Sequence, residues 1–212
     1  MLNKMTQVDC AHYEFCKYVS KERWASFYHQ LAEVMAFAPL DVLEVGPGPG
    51  ILNTLLKKFG IKAVTLDHAA DLCPDIVASA MDIPFCDNQY DCVCAFQVLE
   101  HMPYDKSLAV FRELVRVSRN GVVISLPNAN IIWPISVHVP RLGVRFIHVP
   151  KPSSIFGFST PDSQHYWEVG RAGYSRDRIV EDLLKERVKL IKEYRVNEFP
   201  YHHFFVFVKS DN

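Results

Sequence analysis

Between Asp41 and Leu126 the chain alternates short apolar runs with amphipathic stretches. The runs Asp41–Val45, Ala63–Asp67, Asp75–Ala78, Tyr90–Phe96 and Gly121–Leu126 are bounded by turn residues and too short for helices. They predict strands buried on both faces. Gly50–Phe59, closed by Gly60, predicts a helix. So does Asp105–Val117, with Leu108, Phe111, Leu114 and Val115 on one face. An earlier helix is predicted over Tyr13–Phe37, where Trp24, Phe27, Leu31 and Met35 recur near helical spacing. Strand–helix alternation implies right-handed βαβ units, hence an α/β fold with a mostly parallel sheet and helices on both faces.

The pattern breaks after the fifth strand. Residues from Pro127 to about Gly173 read as irregular and are rich in Pro, His and aromatics. Periodicity returns with a helix capped by Ser175 and running to about Arg187. Two strands follow, near Lys189–Glu198 and His203–Lys209. The short turn around Pro200 predicts that they pair antiparallel. The expectation is one domain over 1–212, with an N-terminal helical segment at 1–40 and a cap insertion on the substrate side at 127–173. Long loops in compact domains are usually functional.

Bulk properties narrow the class. The chain has 212 residues, is 49% hydrophobic and carries a formal net charge of −1. That suits one large domain and lacks the basic excess of a nucleic-acid binder. No apolar run approaches the roughly 18 residues of a membrane span, and the N-terminal stretch has no apolar signal core. A cytoplasmic protein without a transmembrane segment is expected. Its six cysteines, Cys10, Cys16, Cys73, Cys86, Cys92 and Cys94, then read as reduced core thiols. Cys92 and Cys94 alternate on an apolar strand and should share its buried side.

The chemistry concentrates in "LEVGPGPGI", Leu43–Ile51. A P-loop needs Gly-Lys-Ser/Thr, and here Ile51 and Leu52 follow Gly50. A dinucleotide fingerprint is G-x-G-x-x-G, whereas Gly46, Gly48 and Gly50 are evenly spaced. Glu44 disfavours a pyrophosphate beside it and suits a cation. S-adenosylmethionine carries both a sulfonium and an ammonium. The glycines let the backbone turn and approach a ligand, and Pro47 and Pro49 stiffen the turn. Asp67 ends the second strand about 20 residues on, where an acid accepts hydrogen bonds from ribose hydroxyls.

The stretches "DVLEVGPGPG", "TLD", "PDIVASAMDIPFCDNQYDCVCAFQVLEHM" and "ELVRVSRNGVVISLPN" together resemble the class I S-adenosylmethionine-dependent methyltransferases, with the nearest look to the small-molecule group that includes quinone-biosynthesis enzymes. The resemblance covers about 41–128. It implies a Rossmann-like seven-stranded sheet with the last strand antiparallel and inserted near the edge. By position it implies that Glu44, Gly46, Gly48 and Gly50 hold the methionine end and Asp67 the ribose. Ser79 stands where the family usually has the acid that meets the adenine amino group, with Asp82 as a substitute. Ala80 would offer a backbone N–H, Met81 an apolar wall, and Phe96 and Gln97 would line the methionine pocket. Some quinone O-methyltransferases carry Glu where Gln97 stands and hold a divalent metal with the following Glu-His pair. Gln97 lacks that carboxylate, so no metal is assigned.

Methyl transfer needs positioning more than acid–base chemistry. If the acceptor must lose a proton, His101 is the first candidate base and His165, in "SQHYWEVG", the second. The segment from Asn128 to Thr160 holds Arg141, Arg145 and Lys151 and no acid, with Trp133, Phe146, Phe156 and Phe158. It reads as a lid for an anionic, amphiphilic small molecule. The N-terminal helix reads as an ordinary packed helix, or as a cover placing Tyr13, Trp24 or Tyr28 at the pocket. A non-catalytic binding subunit and a protein methyltransferase are the alternatives. A nicotinamide dehydrogenase is opposed by Glu44 and the glycine spacing.

Overall fold

A computed structural model describes residue 13, residues 18–151 and residues 164–210. Cys10, Cys16, Phe156 and Phe158 lie outside them. Seven strands form one sheet: β1 (Asp41–Val45), β2 (Lys62–Asp67), β3 (Ile76–Val77), β4 (Tyr90–Phe96), β5 (Ser118–Pro127), β8 (Val188–Arg195) and β9 (His202–Lys209). Their order is β3-β2-β1-β4-β5-β9-β8. All pairings from β3 to β5 are parallel. β9 runs antiparallel to both β5 and β8, with Val123 opposite Val206 and Tyr194 opposite Phe204. The expected sheet, including its reversed inner strand, is therefore present. β4 and most of β9 are buried on both faces, the condition that favours continuous apolar runs. The edge strand β8 instead interleaves Lys189, Lys192, Glu193 and Arg195, which discourages further pairing.

Helices α1 (Lys21–Met35) and α2 (Ile51–Lys58) cover one face, where Val34, Leu52 and Leu56 meet Cys92, Cys94 and Phe204. Helices α3 (Tyr104–Val117) and α4 (Arg176–Leu183) cover the other through Phe111, Leu114, Ile179 and Leu183. Ser20 caps α1 by accepting from Arg23 N at 3.1 Å, and Ser175 caps α4 by accepting from Arg178 N at 3.3 Å.

Three expectations change. First, the segment read as irregular contains an antiparallel hairpin, β6 (Ile132–Val139) and β7 (Gly143–Pro150), forming its own two-stranded sheet. Pro134, Pro140 and Pro150 obscured it. A two-stranded ribbon has only edges, where a missing N–H is tolerated. The reversal uses Arg141 at φ +67° and Gly143 at φ +74°. Second, Phe27, Leu31 and Met35 of α1 pack inward, but Trp24 does not, and polar residues share the inward face. Trp24 is exposed, whereas Ser26, Gln30 and Glu33 are buried with Phe27 and Val34. Polar residues turn inward because partners await them: Glu33 Oε1 accepts from Lys192 Nζ at 2.6 Å and from the Tyr194 hydroxyl at 2.7 Å. Third, Cys92 and Cys94 are buried thiols as expected, but Cys73 and Cys86 are exposed.

Candidate active site

The glycine loop, the end of β2 and the end of β4 meet at the carboxyl edge of the parallel strands, the usual ligand edge of such sheets. Two adjoining cavities open there and share Tyr13, Gly46, Gln97 and His101.

The first cavity is lined by Asp67, Ser79, Ala80 and Met81, together with Leu72, Val98 and Met102. Four residues assigned from sequence to ribose and adenine therefore share one wall. Asp67 Oδ1 also accepts from Ala69 N at 2.9 Å and lies 3.2 Å from His68 Nδ1. Ser79 Oγ accepts from Met81 N at 3.2 Å. Asp82, the proposed substitute acid, is exposed and does not line this cavity. Its position falls just after the turn that Ser79 caps.

The second cavity brings together Glu44, Gly46, Gly48, Phe96, Gln97, His101, His165, Tyr201 and His202. Glu44 is 4% exposed, and its Oε2 makes no hydrogen bond. Burial pushes its pKa up to about 8, against the lowering effect of the Asn53 amide and Lys57. A carboxylate aimed at a cavity without a full set of donors is built for a cation or a donor-rich ligand. Gly46 takes φ +70°, and a Cβ there would lie 2.5 Å from Val98 Cγ2. No other residue fits that turn without displacing Val98. Gly50 lines neither of the two cavities. It caps α2 in the left-handed conformation, so its part is the turn.

Gln97 sits at φ +56°, rare for a residue with a side chain, and its Nε2 donates to Ser125 Oγ at 3.1 Å. Backbone strain of this kind concentrates at functional sites. It aims both cavities' shared wall.

His101, in the short 3₁₀ turn Leu99–His101, and His165 face one another with ring centroids 4.9 Å apart. Sequence reading offered them separately, and the fold joins them. His165 Nδ1 lies 2.9 Å from Glu168 Oε1. Glu168 also accepts from the Tyr201 hydroxyl at 2.8 Å and from Arg171 Nε at 2.9 Å. Burial would raise the Glu168 pKa, but these three partners hold it at about 2. A fixed carboxylate on Nδ1–H leaves His165 Nε2 as the basic nitrogen. A carboxylate oxygen of the buried Glu100 and one nitrogen from each of His101 and His165 all lie within 4.8 Å of one another. Two imidazoles and a carboxylate are a donor set of the kind divalent metals take, and they include the Glu100–His101 pair to which the sequence reading assigned no metal.

Sequence reading missed Tyr18, Arg23, Phe27, Gln30, Glu168, Tyr201 and His202. Of the three aromatics considered for a cover, Tyr13 does line both cavities, whereas Trp24 and Tyr28 are exposed and line neither. Their place is taken by Tyr18, with the Arg23 guanidinium 4.3 Å from its ring. Burial keeps His202 uncharged, reinforced by Arg23, and its Nδ1 lies 2.7 Å from Ser26 Oγ. The "QHYWE" spacing places Glu168 three residues after His165, which was the one available signal. Arg141, Arg145 and Lys151 line neither cavity, and the rest of the segment read as a lid, residues 152–163, lies outside the described residues.

Comparison with known proteins agrees with this geometry. The family described as "Methyltransferase domain" matches residues 14–176. Magnesium protoporphyrin IX methyltransferase of Synechocystis PCC 6803, solved with bound S-adenosylhomocysteine, is 16% identical. The alignment covers 97% of this chain and 90% of that one with a TM-score of 0.64. The 1,6-didemethyltoxoflavin N1-methyltransferase of Burkholderia thailandensis is 13% identical, with 88% and 79% covered and a TM-score of 0.62. The small RNA methyltransferase HEN1 is 11% identical, with 90% of this chain but 25% of that one covered and a TM-score of 0.62. Among curated proteins the sequence finds no match. Acceptors as different as a porphyrin and an RNA share this architecture, so the fold does not choose between them. From the matched domain, the sheet order and the glycine loop together, the chain belongs to the methyltransferase-domain family, with the fold of the class I S-adenosylmethionine-dependent methyltransferases.

Proposed function

We propose that the chain transfers a methyl group from S-adenosylmethionine to a small-molecule acceptor. The observation that carries this reading is Glu44. It is a buried carboxylate with an unbonded oxygen, beside the glycine turn and in one cavity with the His101–His165 pair. Glu44 receives the methionine ammonium, and Arg23 in the same cavity faces its carboxylate. Phe96 and Gln97 flank the methionine chain. Asp67 takes the ribose hydroxyls, and Ser79, Ala80 and Met81 border the adenine.

The cofactor supplies a methyl carbon already activated by the adjacent sulfonium. The protein holds the acceptor in line and keeps water out. Where the acceptor is an O–H or N–H group, its proton passes to an imidazole of the His101–His165 pair, with Glu168 fixing the His165 ring. A second reading rests on the Glu100, His101 and His165 cluster holding a divalent ion that orients the acceptor. Chelation separates them: turnover unchanged by EDTA supports the imidazole base, and loss restored by Mn²⁺ supports the ion.

Exposed free thiols at Cys73 and Cys86 support a reducing, cytoplasmic setting. No helix of the described residues is long and apolar enough to cross a membrane. Calorimetric titration with S-adenosylmethionine, S-adenosylhomocysteine and NAD tests the cofactor. Micromolar binding of the first two and none of NAD is expected. Failure of both methionine nucleosides to bind would overturn the reading and favour a non-catalytic subunit, with Ser79 marking a weakened adenine site.

A further inference from the structure

Among the described residues, the strands of the β6–β7 hairpin carry five exposed large hydrophobic side chains, Trp133, Ile135, Val137, Val144 and Ile147. In its register Trp133 stands opposite Val149, Ile135 opposite Ile147 and Val137 opposite Arg145. Side chains at alternate positions share a face, so these six lie together on one side of the ribbon. Trp133, Ile135, Val137 and Ile147 on that side are each at least 42% exposed.

The charges around this face are one-sided. Arg145 lies within it, exposed Arg141 stands at the tip, and Lys151 at the base sits 4.8 Å over the Trp133 ring. The sequence from Asn128 to Pro161 contains these three cations and no acid, in a chain whose net charge is −1. The rest of the chain is therefore net acidic, and the positive charge is gathered where the apolar face is. A lone two-stranded ribbon is marginally stable in water and gains from a covering surface. Aliphatic side chains flanked by Trp, Arg and Lys match the boundary between acyl chains and anionic headgroups.

We propose that this hairpin docks the protein peripherally on an anionic lipid bilayer. Trp133, Ile135, Val137 and Ile147 lie in the headgroup boundary, and Arg141, Arg145 and Lys151 meet lipid phosphates. The hairpin leaves the sheet just after β5, at the same carboxyl edge as the two cavities, and the chain returns from it to Gln164 and His165 in the cavity wall. Docking therefore presents the acceptor cavity to the lipid surface. On the methyltransferase reading, this makes the acceptor an amphiphile that partitions into the bilayer. The lipid docking itself does not depend on that reading.

The test is co-sedimentation of the full chain with vesicles of phosphatidylcholine alone or mixed with phosphatidylglycerol. Binding to the mixed vesicles is expected, weakened about fivefold for each cation removed and weakened again by salt. The double variants Arg141→Glu/Arg145→Glu and Ile135→Ser/Ile147→Ser should each lose it. Both should still bind S-adenosylmethionine as the unaltered chain does, which shows that they fold. Binding that is absent, equal on both vesicle types, or unchanged in the variants overturns the proposal. So does concentration-dependent self-association abolished by Ile135→Ser/Ile147→Ser, which would assign the face to a second copy. If vesicles bind but S-adenosylmethionine does not, the proposed enzymatic function fails and the docking surface stands.

Discussion

Glu44→Gln isolates the charge on which the cofactor assignment depends. With its pKa pushed to about 8, about nine-tenths of the free protein carries Glu44 as the neutral acid at pH 7. Pairing with a cationic ammonium requires the carboxylate, so binding at pH 7 releases about 0.9 proton from the protein. The same equilibrium makes Kd about ninefold lower at pH 7 than at pH 6. The window stays below pH 7.5 because the ligand's own amino group titrates near 7.7–8.0. Glu44→Gln should abolish both the proton release and the pH dependence. It should weaken binding by about 1.5–3 kcal/mol, roughly tenfold to a hundredfold, the usual range for a charged hydrogen bond. The assay is calorimetry of S-adenosylmethionine binding in buffers of different ionisation enthalpy.

The free protein should respond in the opposite direction. The folded-state pKa of Glu44 lies above its ordinary value of 4.5. Its contribution to stability is thus complete below about pH 4.5 and is lost as pH rises through 8. Glu44→Gln removes that loss, stabilising the ligand-free chain at pH 8 by at most about 4 kcal/mol and leaving it unchanged at pH 4. A Kd that is flat between pH 6 and 7.5, with no proton released, would refute the assignment of Glu44 as the cation's partner.

Glu168→Gln should slow turnover on an O–H or N–H acceptor while leaving the Kd for S-adenosylmethionine within about twofold, since Glu168 acts through His165. Because the Glu168 pKa is held down at about 2, its stabilisation is present above about pH 4.5 and lost as pH falls toward 2. The variant should therefore melt at a lower temperature at pH 7, with the difference vanishing in acid. Gly46→Ala should cost about 1–3 kcal/mol in thermal unfolding through its positive φ and the Val98 clash, and should abolish cofactor binding. Ser79→Asp restores the acid expected beside adenine, and titration with adenosine should show a severalfold gain, since charge-assisted hydrogen bonds are about twice as strong as neutral ones.

Local pattern settled a good deal of this molecule. Apolar runs such as Tyr90–Phe96 named the buried strands, Ser175 marked a helix start, and the glycine spacing with Glu44 and Asp67 marked the ligand edge. These signals are short-range: strand burial, capping and positive φ each depend on a few neighbouring residues. The hairpin at 132–150 escaped because prolines break the periodicity of strands without breaking a two-stranded ribbon. The polar part of the inward face of α1 was hidden because Glu33 is buried with Lys192 and Tyr194, more than 150 residues away.

The site divides along the same line. Residues attached to strand ends were readable, because the chain order of a βαβ sheet carries each strand end to one edge. The partnership of His101 with His165, the bond from Tyr201 to Glu168, and the entry of Tyr18 and Arg23 into the second cavity join segments with no fixed sequence spacing. The segment 164–169 is brought in by Tyr166 N donating to Glu100 O and Val169 N to Pro127 O, and the turn between β8 and β9, with α1, supplies the remaining partners. The sequence by itself determined the architecture and the edge at which chemistry happens; the tertiary structure decided which polar groups face one another there, because long-range burial selects partners that no local period records.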